Sequence, residues 1–270
     1  MHLLDFLNTF KIFITNRELI YSLVRREILA RYRGSLFGVL WSFFTPLLML
    51  AIYTFVFGFV FQPRLGSTDS SRTEFTLVLF AGLMPFYLFS ETITRAPNLV
   101  LANVNYVKKV VFPLEILPVV SLCVALFQYV INFLVWLVFL LVFRGLPPLT
   151  IFLLPFVLLP FLLIILGLSW FLASLGVYIR DIGQLVGVIV TVLMFLSPLF
   201  YPLSALPQTY QIYMFLNPLT YVIEQGRGVM IMGEIPVWWC WSLYLLISLF
   251  VAWLGLWWFM KTKKGFADVI

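Results

Sequence analysis

The chain alternates long apolar runs with short polar links. Six runs are long enough to cross a bilayer: roughly Ser35–Phe61, Phe75–Thr94, Glu115–Phe143, Leu149–Ile179, Ile182–Tyr201 and Pro236–Met260. A helical span needs about 20 residues. The third and fourth runs exceed that length, which predicts tilting or bending, in the fourth at Pro155 and Pro160. Ahead of the first run, Leu3, Phe6, Leu7, Phe10, Phe13 and Ile14 recur at helical spacing, with Asp5, Asn8, Thr9 and Lys11 between them. Ile20, Leu23, Val24 and Ile28 continue the stripe against Arg25, Arg26 and Arg31. This pattern predicts an amphipathic helical region over residues 1–34 that lies along the membrane surface. Ser197–Pro236 is apolar yet interrupted by Pro198, Pro202, Pro207 and Pro218. It cannot cross as one straight helix, and irregular backbone at membrane depth persists only inside protein or beside a watery cavity.

Composition agrees with an all-α integral membrane protein of six transmembrane helices. The chain is 63% hydrophobic and only 10% charged, with a mean hydropathy of +1.07; a soluble domain carries about 25% charged residues. The N-terminus lacks the basic region, long apolar core and cleavage site of a signal peptide. Basic residues are divided unequally among the links. Lys11, Arg17, Arg25, Arg26, Arg31, Arg33, Arg95, Lys108, Lys109, Arg180, Lys261, Lys263 and Lys264 fall on one side. Only Arg64, Arg72, Arg144 and Arg227 fall on the other. The positive-inside rule then places both termini in the cytoplasm. Topology and anionic lipid account for the net charge of +6, with no nucleic-acid partner required.

The residues exclude several kinds of chemistry. His2 is the single histidine, and Cys123 and Cys240 lie far apart in apolar runs, so no His/Cys metal cluster or thiol–imidazole site is predicted. No acidic residue sits in the middle of a run: Glu91, Glu115 and Asp181 are near cytoplasmic ends, and Glu224 and Glu234 lie in the broken segment. A carrier coupled to ions keeps such charges deep in its spans. No G-x-x-x-x-G-K-[ST] phosphate loop occurs, so an ATPase driving this chain would be a separate protein. The cytoplasmic links offer docking surfaces for one. Ala96–Pro113 reads as a short helix, a basic pair and a proline stop, and Asp181 stands where it would cap the fifth span. Trp238, Trp239 and Trp241 at one end of the last run, and Trp257 and Trp258 at the other, read as interface belts.

Motifs spread over nearly the whole length resemble the membrane subunit of ATP-binding-cassette exporters for cell-surface polysaccharides. They are Arg26-Glu27-Ile28, Arg31 to Trp41, Gly82-Leu83-Met84-Pro85-Phe86, Val107 to Pro113, Arg180-Asp181-Ile182, Ser197 to Pro202, and Leu216-Asn217-Pro218-Leu219. The resemblance implies a single permease domain over residues 1–270 and a homodimer in the bacterial inner membrane. It also implies two copies of a partner ATPase, which binds ATP and Mg, while this chain binds no cofactor and is not itself an enzyme. The substrate would be a lipid-linked polysaccharide. The closing Gly265 to Ile270 resembles an ending of O-antigen exporter subunits, which favours O-antigen over capsule or teichoic acid. Exporters of drugs or lipids, and an ion-coupled carrier, are the competing readings. For coupling to the ATPase, the residues implied are Arg26, Glu27, Arg31, Asn98, Lys108, Lys109, Phe112, Pro113, Arg180 and Asp181, with a coupling helix in residues 96–113. For the glycan channel they are Trp41, Phe44, Phe86, Tyr87, Phe195 and Tyr201. A re-entrant helical hairpin over residues 202–236 would form an external gate, with Pro198, Pro202, Pro207, Tyr210, Asn217, Pro218, Tyr221 and Glu224.

Overall fold

The computed structural model describes residues 12–56, 69–108, 112–201, 203 and 206–270. Lys109, Pro202 and the predicted stripe from Leu3 to Phe10 lie outside the described residues. Helix α1 (Arg17–Arg31) precedes α2 (Trp41–Phe55), α3 (Asp69–Arg95) and the short α4 (Val104–Val107). Then come α5 (Ile116–Phe143), α6 (Leu154–Tyr178), α7 (Ile182–Leu196), α8 (Gln208–Met214) and α9 (Pro218–Arg227). The long α10 (Trp238–Thr262) and a closing turn of helix, α11 (Phe266–Val269), complete the chain.

Among the described residues, five helical stretches are long and apolar enough to cross a membrane: Gly38–Phe55, Thr73–Asn98, Ile116–Phe143, Leu149–Tyr178 and Trp238–Val269. The fifth predicted run is shorter than expected. Its helix α7 stops at Leu196 after 15 residues, because Pro198 forces Ser197 into an extended conformation (φ −92°, ψ 151°). Of the two expected bends in α6, Pro155 instead opens the helix, where its missing N–H has no partner to lose. Pro160 does lie inside α6. Asp181 occupies the cap position of α7, but its side chain makes no capping bond. Its αR backbone (φ −76°, ψ −8°) differs from the extended geometry that aims a carboxylate at the first amides.

Helix α1 forms where the stripe continues and turns part of it toward the bundle. Leu23 is buried against Ile116 and Val120 at the start of α5, while Arg25 and Arg26 stay exposed. The most extensive contact in the bundle is between α6 and α10. Its marker contacts advance in step: Trp241 Nε1 donates to Phe156 O (2.8 Å), and Ser174 Oγ bonds Thr262 Oγ1 (2.7 Å). The two helices therefore run parallel. Gly167 and Gly255 let their backbones touch midway, since a Cβ on Gly255 would lie 2.0 Å from Gly167 O.

After α10 the chain folds back onto the bundle. Phe266 is fully buried with Val100, Leu114, Trp170, Val177 and Phe259. Lys263 Nζ pairs at 2.6 Å with the Glu115 carboxylate, whose side chain is 3% exposed. Lys263→Ala strands that carboxylate and is expected to cost about 3 kcal/mol, seen as a lowered thermal unfolding midpoint in detergent. Adding Glu115→Gln should recover most of the loss.

Candidate functional site

Polar groups converge in a cleft of about 460 Å³ bounded by α2, α3 and α5 and by the end of α1. Trp41, Pro46, Met49 and Phe80 form its apolar lining. The polar lining comes from Arg31, Tyr32, Ser42, Thr45, Tyr87, Ser90, Glu91, Gln128 and Asn132. Gln128 and Asn132 are one turn apart on α5, which brings their amides to one face. Gln128 Nε2 donates to Asn132 Oδ1 and to Ser42 O, both at 3.1 Å, and Tyr32 OH donates to Gln128 Oε1 at 3.3 Å. Tyr87 and Tyr53 share a 2.6 Å hydroxyl bond across α3 and α2. At the basic end of the cleft Arg31 pairs with Glu91, which also faces Arg95 at 3.8 Å. Amides, hydroxyls and an indole face in one apolar bundle suit a ligand with many hydroxyl groups. Polar groups inside an apolar bundle are expensive unless hydrogen-bonded to one another, as these are.

The candidate channel residues do not share one surface. Trp41 and Tyr87 line the cleft. Phe44 is exposed beside Trp41, with ring centroids 6.1 Å apart, whereas Phe86 is buried in the core. Phe195 is exposed on α7, and Tyr201 OH donates to Phe195 O at 3.3 Å.

The candidate coupling residues other than Lys109 lie at the basic end of the bundle. Arg26 Nη1 donates to Tyr106 OH at 2.7 Å, and the Tyr106 ring stacks on Phe112 (4.1 Å, 8°). Tyr106 thus joins α1 to the loop after α3. Pro113 O accepts from Ile116 N at 3.1 Å. Glu27 is half-buried, and Asn98, Lys108, Arg180 and Asp181 are exposed. Asn98 lies next to the start of α7, since a Cβ on Gly183 would be 3.7 Å from its Nδ2. The loop itself is seated on α6: a Cβ on Gly176 would lie 2.0 Å from Pro97 O.

At the opposite end, the broken segment separates into unlike parts. Helix α8 buries no residue, and Pro207 and Tyr210 are exposed. Helix α9 buries seven of its ten, Tyr221 among them, with its ring 4.5 Å from that of Tyr244. Asn217 caps α9 by accepting from Leu219 N (3.0 Å), and its Nδ2 donates to Ser197 Oγ (2.8 Å). Tyr244 OH donates to Pro218 O at 2.7 Å. Pro198 is buried, and its carbonyl accepts from Arg227 Nη1 at 2.6 Å. Glu224 stands 3.4 Å from the same guanidinium nitrogen. Burial pushes the Glu224 carboxyl above its usual range, with Arg227 pulling it back.

Three features of these sites escaped the sequence reading: Tyr106, the Gln128–Asn132 pair and the carbonyl partners of Arg227. The amide pair did leave a signal, as the only Asn or Gln within the run Ile116–Phe143.

Residues 18–231 match the family model of the ABC-2 type transporter. The chain belongs to the ABC-2 transporter membrane family. Among relatives of this ABC-2 chain is the O-antigen export system permease protein RfbA of Myxococcus xanthus, 29% identical over 82% of this chain and 83% of the relative. A protein of the same name from Klebsiella pneumoniae is 25% identical over 94% and 95%. The polysialic acid transport protein KpsM of Escherichia coli is 27% identical over 83% and 85%.

Proposed function

We propose that the chain is the permease subunit of an ATP-driven exporter that carries lipid-linked polysaccharide, O-antigen by preference, to the outer side of the bacterial inner membrane. The observation that carries this reading is the cleft, where Trp41 and Tyr87 meet the Gln128–Asn132 amides within an apolar bundle. Aromatic faces stack on sugar C–H surfaces, and amides bond to hydroxyls. The RfbA relatives favour O-antigen. The likeness to KpsM supports a capsular polysaccharide as the second reading.

Six crossings are part of the proposal. The parallel course of α6 and α10 supports a return of the chain across the bilayer between them. We assign that return to helix α7. It starts near Asn98, and the turn after it is joined through Arg227 to Val78. Residues 202–236 then form a re-entrant outer hairpin, and the basic end faces the cytoplasm with both termini. Two copies of the chain bind two ATPase subunits, which hold ATP and Mg. The half-buried stack of Tyr106 and Phe112, with exposed Lys108 two residues on from Tyr106, is the docking surface.

The test is export of surface polysaccharide in a deletion strain complemented with variants. Trp41→Ala and Gln128→Leu should each reduce surface glycan at least tenfold while the ATPase still co-purifies. Normal glycan levels in both variants would remove the cleft from the pathway. Normal glycan in the deletion strain itself would overturn the substrate class.

A further inference from the structure

Arg227 closes α9 and is 5% exposed, yet most of its bonding is to backbone. Nε donates to Val78 O of α3 (3.0 Å), Nη1 to Pro198 O (2.6 Å) and Nη2 to Leu199 O (2.8 Å). Glu224, at 3.4 Å, is its most distant partner. Proline has ended α7 just before, so the Pro198 and Leu199 carbonyls have no helical partners. Buried carbonyls left without donors are costly, more so within a membrane. A planar guanidinium presents donors from three separate nitrogens in a fixed fork, so it reaches three carbonyls from two segments at once, whereas an ammonium must donate all three of its N–H groups from a single nitrogen. Gly82 makes the room: a Cβ there would lie 2.7 Å from Nη2 and 3.2 Å from Cζ. The guanidinium is pinned by its carbonyls and cannot give way.

The other end of α9 is fastened to the same place. Asn217 bonds Ser197 Oγ while capping the helix. Both ends of α9 are thus tied to the broken end of α7, and α9 packs on α3 and α6. Among the described residues, helix α8 has no comparable attachment, and its Tyr210, Ile212 and Tyr213 are exposed.

We infer that Arg227 is the positioning residue of the outer hairpin: with Gly82 and Asn217 it makes α9 part of the fixed frame and leaves α8 as the element free to move. This deepens the export reading, because an outer gate would open through α8 alone. The geometry itself does not depend on what is exported.

The experiment uses the full chain with Cys123 and Cys240 changed to serine. A single nitroxide label is placed at Gln225 in α9 or at Tyr213 in α8, and spectra are recorded in detergent. The Gln225 label should be immobile and the Tyr213 label mobile. Arg227→Gln should shorten the correlation time at Gln225 at least threefold and leave Tyr213 unchanged. Arg227→Lys, which keeps the charge but loses the fork, should behave like Arg227→Gln. If a variant fails to accumulate, Gly82→Ala should loosen the Gln225 label in the same way. An immobile Gln225 label in every variant that folds would overturn the inference, as would equal mobility at the two sites in the native background. None of these spectra requires export, so a failed glycan assay would count against the substrate class alone.

Discussion

Gly255→Leu should yield no folded protein, and Gly255→Ala should lower the unfolding midpoint sharply. A single Cβ at this position would lie 2.0 Å from the Gly167 carbonyl oxygen, and one at Gly167 would lie 2.5 Å from Val251 O. These obstacles are backbone atoms and cannot rotate aside. Lipid tails are as apolar as side chains, so helices in a membrane associate through close packing, and small residues permit it. Overpacking usually costs about 1–3 kcal/mol; here α6 and α10 must separate along their length, which places even the alanine variant at the upper end. Total stabilities are only about 5–15 kcal/mol. Thermal unfolding followed by size-exclusion chromatography would check both variants. A monodisperse Gly255→Leu protein with the native midpoint would show that the helices are held elsewhere.

Gly176→Val should separate folding from transport. Its side chain would displace the turn at Ala96–Asn98, because Pro97 O lies 2.0 Å from the added Cβ. That turn leads into the loop that carries Tyr106 and Phe112. Arg26 on α1 grips the loop from one side. On the other, Val100 and Leu114 pack with Phe266. Moving the turn by even an ångström disturbs the surface proposed to dock an ATPase while α5, α6 and α10 keep their cores. The expected result is a protein present in the membrane at near-normal level, with export lost at least tenfold. ATP turnover by the partner should no longer respond to this chain. Equal loss of protein and of export would instead mark Gly176 as a folding residue only.

Much of the architecture was legible in the sequence because the bilayer fixes span lengths and loop charges. Apolar runs located the five long helices, although the end of the first run, Phe61, lies outside the described residues and the last stretch continues to Val269 beyond the run's end at Met260. Pro198 marked where α7 ends, although the run had read on to Tyr201. Which faces meet was not legible. Helices that are apolar all round carry little directional signal, so nothing in the runs distinguished buried Phe86 from exposed Phe44. Arg227 bonds Val78 across 149 residues of sequence, a relation with no local periodicity. The Arg227–Glu224 pair has the three-residue spacing of a helix, whereas the carbonyls that dominate the site belong to backbone and have no letter in the sequence. Asp181 shows the reverse case: the right residue type stood at a cap position with the wrong backbone angles.

The brevity of α7 has a consequence for the lipid around it. Fifteen residues rise about 22 Å, against a hydrocarbon core of about 30 Å. In the six-crossing arrangement the bilayer beside α7 must thin, or its outer end must stand below the headgroups. Hydrophobic mismatch of this kind brings water and the outer headgroup layer inward at that spot. A hydrophilic polymer leaving beside α7 would then cross a narrower low-dielectric barrier than the bulk membrane presents.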